Sequence, residues 1–374
     1  MTQEQAIPRW ICDGAGVARL AERIGTGPVA IDTEADSYHR YREKVCLVQI
    51  SFRDDTVLVD PLAGLDLAPL RPVLESPAVL KIMHGADYDL RLLDRDLGIR
   101  IGGLFDTMIA ARLVGERAFG LAALVASRLG VQLDKKHQLA DWSRRPLPEE
   151  LARYAADDTR YLAALYRILE NRLVELGRLE WAREEFRKLE GVRWVAESED
   201  PEAYREVTGA ARLERRGLAV LRELFEWRRE SAQRRDVPLY RIASDAVLVA
   251  LAERPPVGVD DLGRAGGVPP GLSRGRNAEA IVERVRGAIE ADPSSWPERR
   301  PRAARRDPGP SAARFRALRH RRDGLAARLD LEPSIVANRA TLEAIATKLD
   351  GGGDWRTVPD LRRWQIEILE EIVS

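Results

Sequence analysis

A chain of 374 residues with 45% hydrophobic content is longer than one core sustains, so two or three folded units are expected. Its 60 basic and 60 acidic residues cancel, which removes overall charge as an argument for a nucleic-acid partner and leaves only local distribution to carry one. Two cysteines outside any ligand spacing, four scattered histidines, no secretory leader and no apolar run of membrane length argue against zinc sites, imidazole triads, disulfide frameworks and membrane insertion, and make the reducing cytoplasm the expected compartment.

From about residue 28 to 110, short β-rich runs alternate with turn signals: "PVAIDTEA", "VCLVQISF", "TVLVDP", "VLKIMHG" and "GGLFDT". The early runs follow closely, as in an antiparallel meander, and the later ones are separated by helical patterns, which predicts an α/β fold with a mixed sheet flanked by helices. In the first run strand alternation puts Asp32 and Glu34 on one face and Ile31, Thr33 and Ala35 on the other. Taken alone, that pair fits a strand end emerging into solvent. Gln49 and Cys46, in the next strand, have the setting of structural residues.

"HGADYDLRLL" turns through His84-Gly85-Ala86, with His84 stabilising the turn, into a helix for which Asp87 is the expected N-cap. Asp89 falls one turn in, on the stripe of Leu92 and Leu93, where an acid facing the core needs a cationic partner. From about 107 to 190 the periodicity is helical apart from the loop "LDKKHQLADWSRRPLP". Lys135, Lys136 and Arg145 are candidate substrate contacts there, while Trp142 and Arg145 also suit locking the loop to the body. Pro148, Glu149 and Glu150 open the next helix. In "LARYAADDTRYLAALYRIL", Leu151, Tyr154, Asp158, Leu162 and Leu165 share one face, with Asp157 turned about 100° away into solvent.

Beyond residue 210 strand signals nearly vanish. "RIASDAVLVALA", beginning at Arg241, is echoed 94 residues later by "IVANRATLEAIA" from Ile335, aligning Ala243 with Ala337, Ala246 with Ala340, Leu248 with Leu342 and Ala252 with Ala346. Two small helical modules follow from this repeat. Between them, residues 298–322 hold ten arginines against two acids, a net charge of +8 that suits either phosphate tracking or a solvated linker.

A fold that gathers Asp32, Glu34, Asp89 and Asp158 would place four like charges together, tolerable only with cations. All-oxygen ligation suits Mg²⁺ or Mn²⁺, and two such ions about 4 Å apart serve in-line attack on a phosphodiester. The ordered set "AIDTEAD…CLVQIS…IMHGADYDLRLL…LFDTMIAARL…LDKKHQLADWSRRPL…YAADDTRYL" closely resembles the ribonuclease D family of DEDD exonucleases over roughly residues 8 to 190. The resemblance implies a ribonuclease H-like fold, metal binding by Asp32, Glu34, Asp89 and Asp158, and Tyr154 orienting or helping to deprotonate the attacking water. Arg153 stands where the histidine-type subgroup carries its histidine, so the chain resembles the tyrosine-type subgroup, with Asp158 rather than Asp157 at the required spacing.

The later modules resemble the paired HRDC domains of the same family, which implies a substrate-gripping role. The expected layout is an exonuclease domain at 1–190, a linker at 191–211, HRDC-like helical domains at 212–291 and 312–374, and a Pro/Arg-rich linker at 292–311. The implied activity is two-metal 3′–5′ exoribonuclease action on RNA with a single-stranded 3′ end, tRNA precursors among them, by a monomer. A Werner-type 3′–5′ DNA exonuclease and a non-catalytic RNA-binding adaptor remain the alternatives.

Overall fold

The computed structural model describes residues 8–134, 136–196, 200–264, 267–299 and 312–373. Six strands, β1 (Arg9–Ile11), β2 (Val29–Ala35), β3 (Val45–Phe52), β4 (Asp55–Val59), β5 (Lys81–Met83) and β6 (Leu104–Asp106), form one sheet in the order β1-β4-β3-β2-β5-β6. The β2–β3 and β3–β4 pairs are antiparallel, and β1, β5 and β6 add in parallel through longer crossovers. The mixed sheet inferred from the spacing of the apolar runs is therefore the one that forms.

Helices of seven residues or more are α1 (Gly14–Ile24), α2 (Asp87–Leu97), α3 (Thr107–Leu113), α4 (Leu121–Leu129), α5 (Glu149–Arg160), α6 (Leu162–Glu175), α7 (Leu179–Glu190), α8 (Arg215–Arg235), α9 (Asp245–Glu253), α10 (Gly275–Glu290), α11 (Ala312–Arg328), α12 (Arg339–Asp350) and α13 (Arg363–Val373). One face of the sheet, through Ile31, Ile50 and Val57, packs on Leu20 of α1 and Leu93 of α2. The other packs on α5 through Leu47 and Leu58, and on α3 and α6 through Ala30, Ile82 and Phe105. The apolar stripe foreseen from Leu151 to Leu165 is interrupted at Tyr161, where α5 ends and α6 begins, so Leu162 and Leu165 belong to a separate helix.

The chain divides into two units. The first comprises Met1–Asp36, Lys44–Trp194 and Arg306–Ser374, the second Ser37–Glu43 and Val195–Arg305. Within the first, α11, α12 and α13 share one buried cluster with the sheet: Leu325, Leu342 and Leu369 join Phe105, Leu165 and Phe186. Trp181 stacks on Trp364 at 4.8 Å between ring centroids, and Glu185 accepts from the Trp364 indole at 2.9 Å and from Arg362 at 3.1 Å. The buried Arg178 donates to the carbonyls of Leu113 at 2.7 Å and Leu329 at 2.5 Å. The second unit builds its core from Leu221, Leu224 and Trp227 of α8 against Leu248 of α9 and Ile281 and Val285 of α10.

The 94-residue repeat has a structural counterpart. Ala243 and Ala337 are both extended residues closing a four-residue helix, each followed by a capping residue, Ser244 or Asn338, that accepts from a backbone N–H three positions on. Arg228 donates to the Ala243 carbonyl at 3.2 Å and Arg322 to that of Ala337 at 2.5 Å, so the same arginine pins the same turn in each copy. Residues 300–311 of the arginine-rich stretch at 298–322 lie outside the described residues, while Arg314 pairs with Asp350 and Arg321 donates to the Ile372 carbonyl. No helix among the described residues is long and apolar enough to cross a membrane.

Candidate active site

Strand β2 outruns its neighbour. Its parallel pairing with β5 ends at Ala30 opposite Ile82, while pairing with β3 continues to Ala35, so the edge from Asp32 onward is open on the β5 side. The chain leaves β5 at Met83 and turns at Gly85, whose φ of +71° disfavours other residues and where a Cβ would lie 2.9 Å from Met108 Cε. Asp106 fixes that turn. Its carboxylate accepts from the N–H of Ala86 at 2.8 Å and caps α3 through Met108 and Ile109 at 2.9 Å each.

The turn delivers α2 to the open edge, and the Thr33 hydroxyl donates to the Asp89 carboxylate there. Thr33 was legible only as the residue on the face opposite Asp32; its service to Asp89 follows from the shortness of β5, which periodicity does not show. Asp87, expected as the N-cap, lies inside the helix and pairs with Arg91 at 2.9 Å, because Ala86 occupies the cap position and Asp106 already holds its N–H.

From the other side α5 lies across β3 and β4, anchored where Thr159 and Thr56 share the Ser51 hydroxyl at 2.7 and 2.8 Å. Asp32, Glu34 and Asp158 each offer a carboxylate oxygen within 4.8 Å of the others. Asp157 turns aside and pairs with Arg160 at 2.8 Å rather than standing free in solvent.

Electrostatics inside this cluster is unfavourable. Burial, then the charges of Asp89, Asp158 and Glu34, hold the Asp32 carboxyl well above its ordinary range, and burial with Asp158 and Asp89 does the same for Glu34. Burial pushes Asp158 up to about 7, with Asp157 and Asp89 adding to it. Asp89 rises to about 6 through burial, opposed by the Thr33 hydroxyl bond. Among the described residues no lysine or arginine pairs with any of the four. A set of hard oxygen donors whose mutual repulsion only positive charge relieves fits a divalent cation and not a soft one. Titrating Mn²⁺ into metal-free protein should raise its melting temperature, since saturation a hundredfold above Kd adds about 2.7 kcal/mol of stability. Scanning calorimetry with and without EDTA checks this.

Asp32, Asp158 and Tyr154 line a cavity of about 330 Å³ together with His84, Leu121 and Gln138. The Thr107 hydroxyl donates to the Met83 carbonyl at 3.0 Å and so accepts from His84 Nδ1–H at 2.9 Å, leaving Nε2 as an acceptor. Burial pushes the His84 pKa down to about 4, so the ring is neutral and braces the turn, as its place beside Gly85 suggested. Burial and the charges of Asp158, Glu34 and Asp32 raise the Tyr154 phenol above its ordinary value. A second cavity of about 310 Å³ shares Tyr154 and Asp158 and is bordered by Lys136, His137 and Arg153.

Lys136 is exposed at that border and sits 3.3 Å from Asp134, whereas Lys135 lies outside the described residues. Arg145 is engaged internally. Its Nε and Nη2 hold both oxygens of the buried Asp60 at 2.8 Å, and the remaining N–H groups reach the carbonyls of Cys46, Trp142 and Arg144. All five guanidinium donors are thereby used. The reading of Arg145 as a substrate contact is corrected on this ground, and its loop-locking role describes what it does.

Residues 8–174 match the family model described as 3′–5′ exonuclease, and residues 217–285 and 311–350 match that of the HRDC domain. A ribonuclease D of Gluconacetobacter diazotrophicus is 36% identical over 330 residues, covering 87% of this chain and 83% of that protein. A solved protein from Bifidobacterium adolescentis superposes with a TM-score of 0.82 at 26% identity, covering 99% of this chain and 97% of its own. The RNase D of Escherichia coli, described as an exoribonuclease involved in structured RNA processing, shares the fold with a TM-score of 0.72 at 24% identity over 98% of this chain and 97% of its own.

Proposed function

Because the chain belongs to the ribonuclease D family and is a 3′–5′ exoribonuclease, we propose that Asp32, Glu34, Asp89 and Asp158 hold two divalent cations, Mg²⁺ or Mn²⁺, and that Tyr154 serves the attacking water. The observation that carries this reading is the convergence of carboxylate oxygens from β2 and α5, more than a hundred residues apart in sequence, to within 4.8 Å. When bound, such ions activate water and neutralise charge on the departing oxygen.

The protein's own groups supply orientation. Thr33 fixes the Asp89 carboxylate, and the Ser51–Thr159 bond sets the height of α5 over the sheet, and with it the placement of Asp158 and Tyr154. A tyrosine phenol, titrating ordinarily near about 10, keeps its proton near neutrality, so Tyr154 orients the attacking water by hydrogen bonding. Tyr154→Phe should then lower kcat about 10²-fold, the lower end of what a positioned proton-bearing group contributes. Mn²⁺ affinity, followed by calorimetric titration, should stay at the wild-type value.

An enzyme that acts at a strand end must hold a free terminus, and the cavity of about 330 Å³ beside the acids has room for the end of one strand. The substrate is accordingly RNA with an unpaired 3′ end, shortened one nucleotide at a time to release 5′-mononucleotides, with tRNA precursors as the natural class. Lys136 at the neighbouring cavity contacts the substrate backbone, and the chain works as a monomer in the cytoplasm. Incubating a 5′-labelled RNA bearing a 3′ overhang should give a ladder shortened from the 3′ end, abolished by EDTA and weaker on matched DNA. Internal cleavage, or turnover indifferent to EDTA, would overturn the assignment, and light scattering tests the monomer.

A further inference from the structure

Gln49 sits in the middle of β3 with no exposed surface, the only buried side-chain amide among the described residues, and neither Oε1 nor Nε2 has a protein partner. Leaving a buried polar group unpaired costs about 1–3 kcal/mol. A side chain that burdens the fold in this way needs a reason outside the fold.

Register decides what it faces. Gln49 is directly opposite Asp32 on β2 and Leu58 on β4, and opposed residues share a face of the sheet. Its amide therefore lies beside the Asp32 side chain and beneath α5, where Leu58 packs with Trp142 and Ala155. The Trp142 indole N–H is likewise buried without a partner. Ser51, the next residue of β3 on that face, is already engaged with Thr56 and Thr159. Of the acceptors the register brings to that face, the Asp32 carboxylate stands directly opposite the amide, with Glu34 one diagonal step further along β2.

We propose that Gln49 is a positioning residue for Asp32: its amide oxygen takes the Trp142 N–H and its NH₂ donates to the Asp32 carboxylate in the metal-loaded site. The inference rests on Asp32 being a metal ligand. A ligating carboxylate leaves lone pairs free, and a donor on them fixes its orientation and strengthens its hold. The Trp142 bond turns the amide so that its nitrogen, not its oxygen, faces the acid.

The test is Gln49→Met, which preserves length and deletes both polar ends. Its metal-free melting temperature should equal or exceed that of the wild type, since two unpaired buried atoms are gone. Its Mn²⁺ affinity in calorimetric titration should fall about 10–100-fold, the usual effect of losing such a partner. A lower melting temperature with wild-type Mn²⁺ affinity would assign Gln49 to packing and overturn the proposal. Failure of the wild type itself to bind Mn²⁺ would instead overturn the metal-site reading beneath it. Should Gln49→Met not fold, the wild type labelled with ¹⁵N at its glutamine amides decides: Mg²⁺ should shift one NH₂ pair protected from solvent exchange, and the absence of such a shift overturns the proposal.

Discussion

Asp32→Asn and Asp158→Asn, made singly, should each depress RNA hydrolysis about 10³-fold or more and at the same time raise the melting temperature of the metal-free protein at pH 8. The loss follows from charge stabilisation worth several kcal/mol at a metal site, about 4 kcal/mol being a factor of 10³ in rate. The gain follows from repulsion. Burial raises the Asp158 carboxyl to about 7, and burial with three neighbouring acids raises Asp32 well above its ordinary range, so each is harder to ionise in the folded chain than in the unfolded one.

Between about pH 4, where an unfolded carboxyl titrates, and about pH 7, the folded chain holds the extra proton and stability falls as pH rises. Asparagine has no proton to lose. The gap between Asp158→Asn and wild type should therefore vanish near pH 4 and open to a plateau above pH 7. A displacement of one pKa unit is worth about 1.4 kcal/mol, which moves the melting temperature by about 3–6 °C in a domain of some 200 residues. Saturating Mg²⁺ reverses the ranking, because it stabilises only the protein that keeps its ligands. A lower melting temperature for Asp158→Asn in EDTA at pH 8 would mean that the four acids do not repel one another as the geometry requires.

The alternation in "AIDTEA" made the shared face of Asp32 and Glu34 legible, and the spacing of Tyr154 and Asp158 put those two on one side of a helix. Their convergence with Asp89 was not legible from periodicity. It depends on β5 stopping at Met83, which opens the β2 edge, and on Asp106, far along the chain, holding the Ala86 N–H. The ordered motif set supplied that convergence through resemblance. Arg145 shows the opposite limit: an exposed-looking "WSRRP" gives no hint that Asp60 and the Cys46 carbonyl will consume its donors. Local pattern specifies which face a side chain takes, whereas its partner is set by contacts dozens of residues away.

Deleting residues 312–374 should leave an exonuclease region that does not fold to a soluble product, the largest structural effect expected of any change outside the acids. The resemblance to detachable helical domains would allow a simple truncation, but α11, α12 and α13 close the same buried cluster as Phe105, Leu165 and Phe186. Removing them bares Trp181 and Phe186, takes from Arg178 its acceptor at Leu329, and strips Glu185 of its two donors. Each large apolar side chain returned to water forfeits about 1.5–3 kcal/mol, against a total domain stability of about 5–15 kcal/mol. Trp364→Ala offers the graded version, losing about 3–5 kcal/mol as buried aromatic truncations do and lowering the melting temperature by about 6–20 °C. Asp32, Glu34, Asp89 and Asp158 belong to β2, α2 and α5, none of which carries Trp181 or Trp364, so kcat per folded molecule should stay unchanged. A soluble fragment ending at residue 311 that melts as steeply and as high as the full chain would show that the shared cluster contributes little, and that the last three helices are carried rather than required.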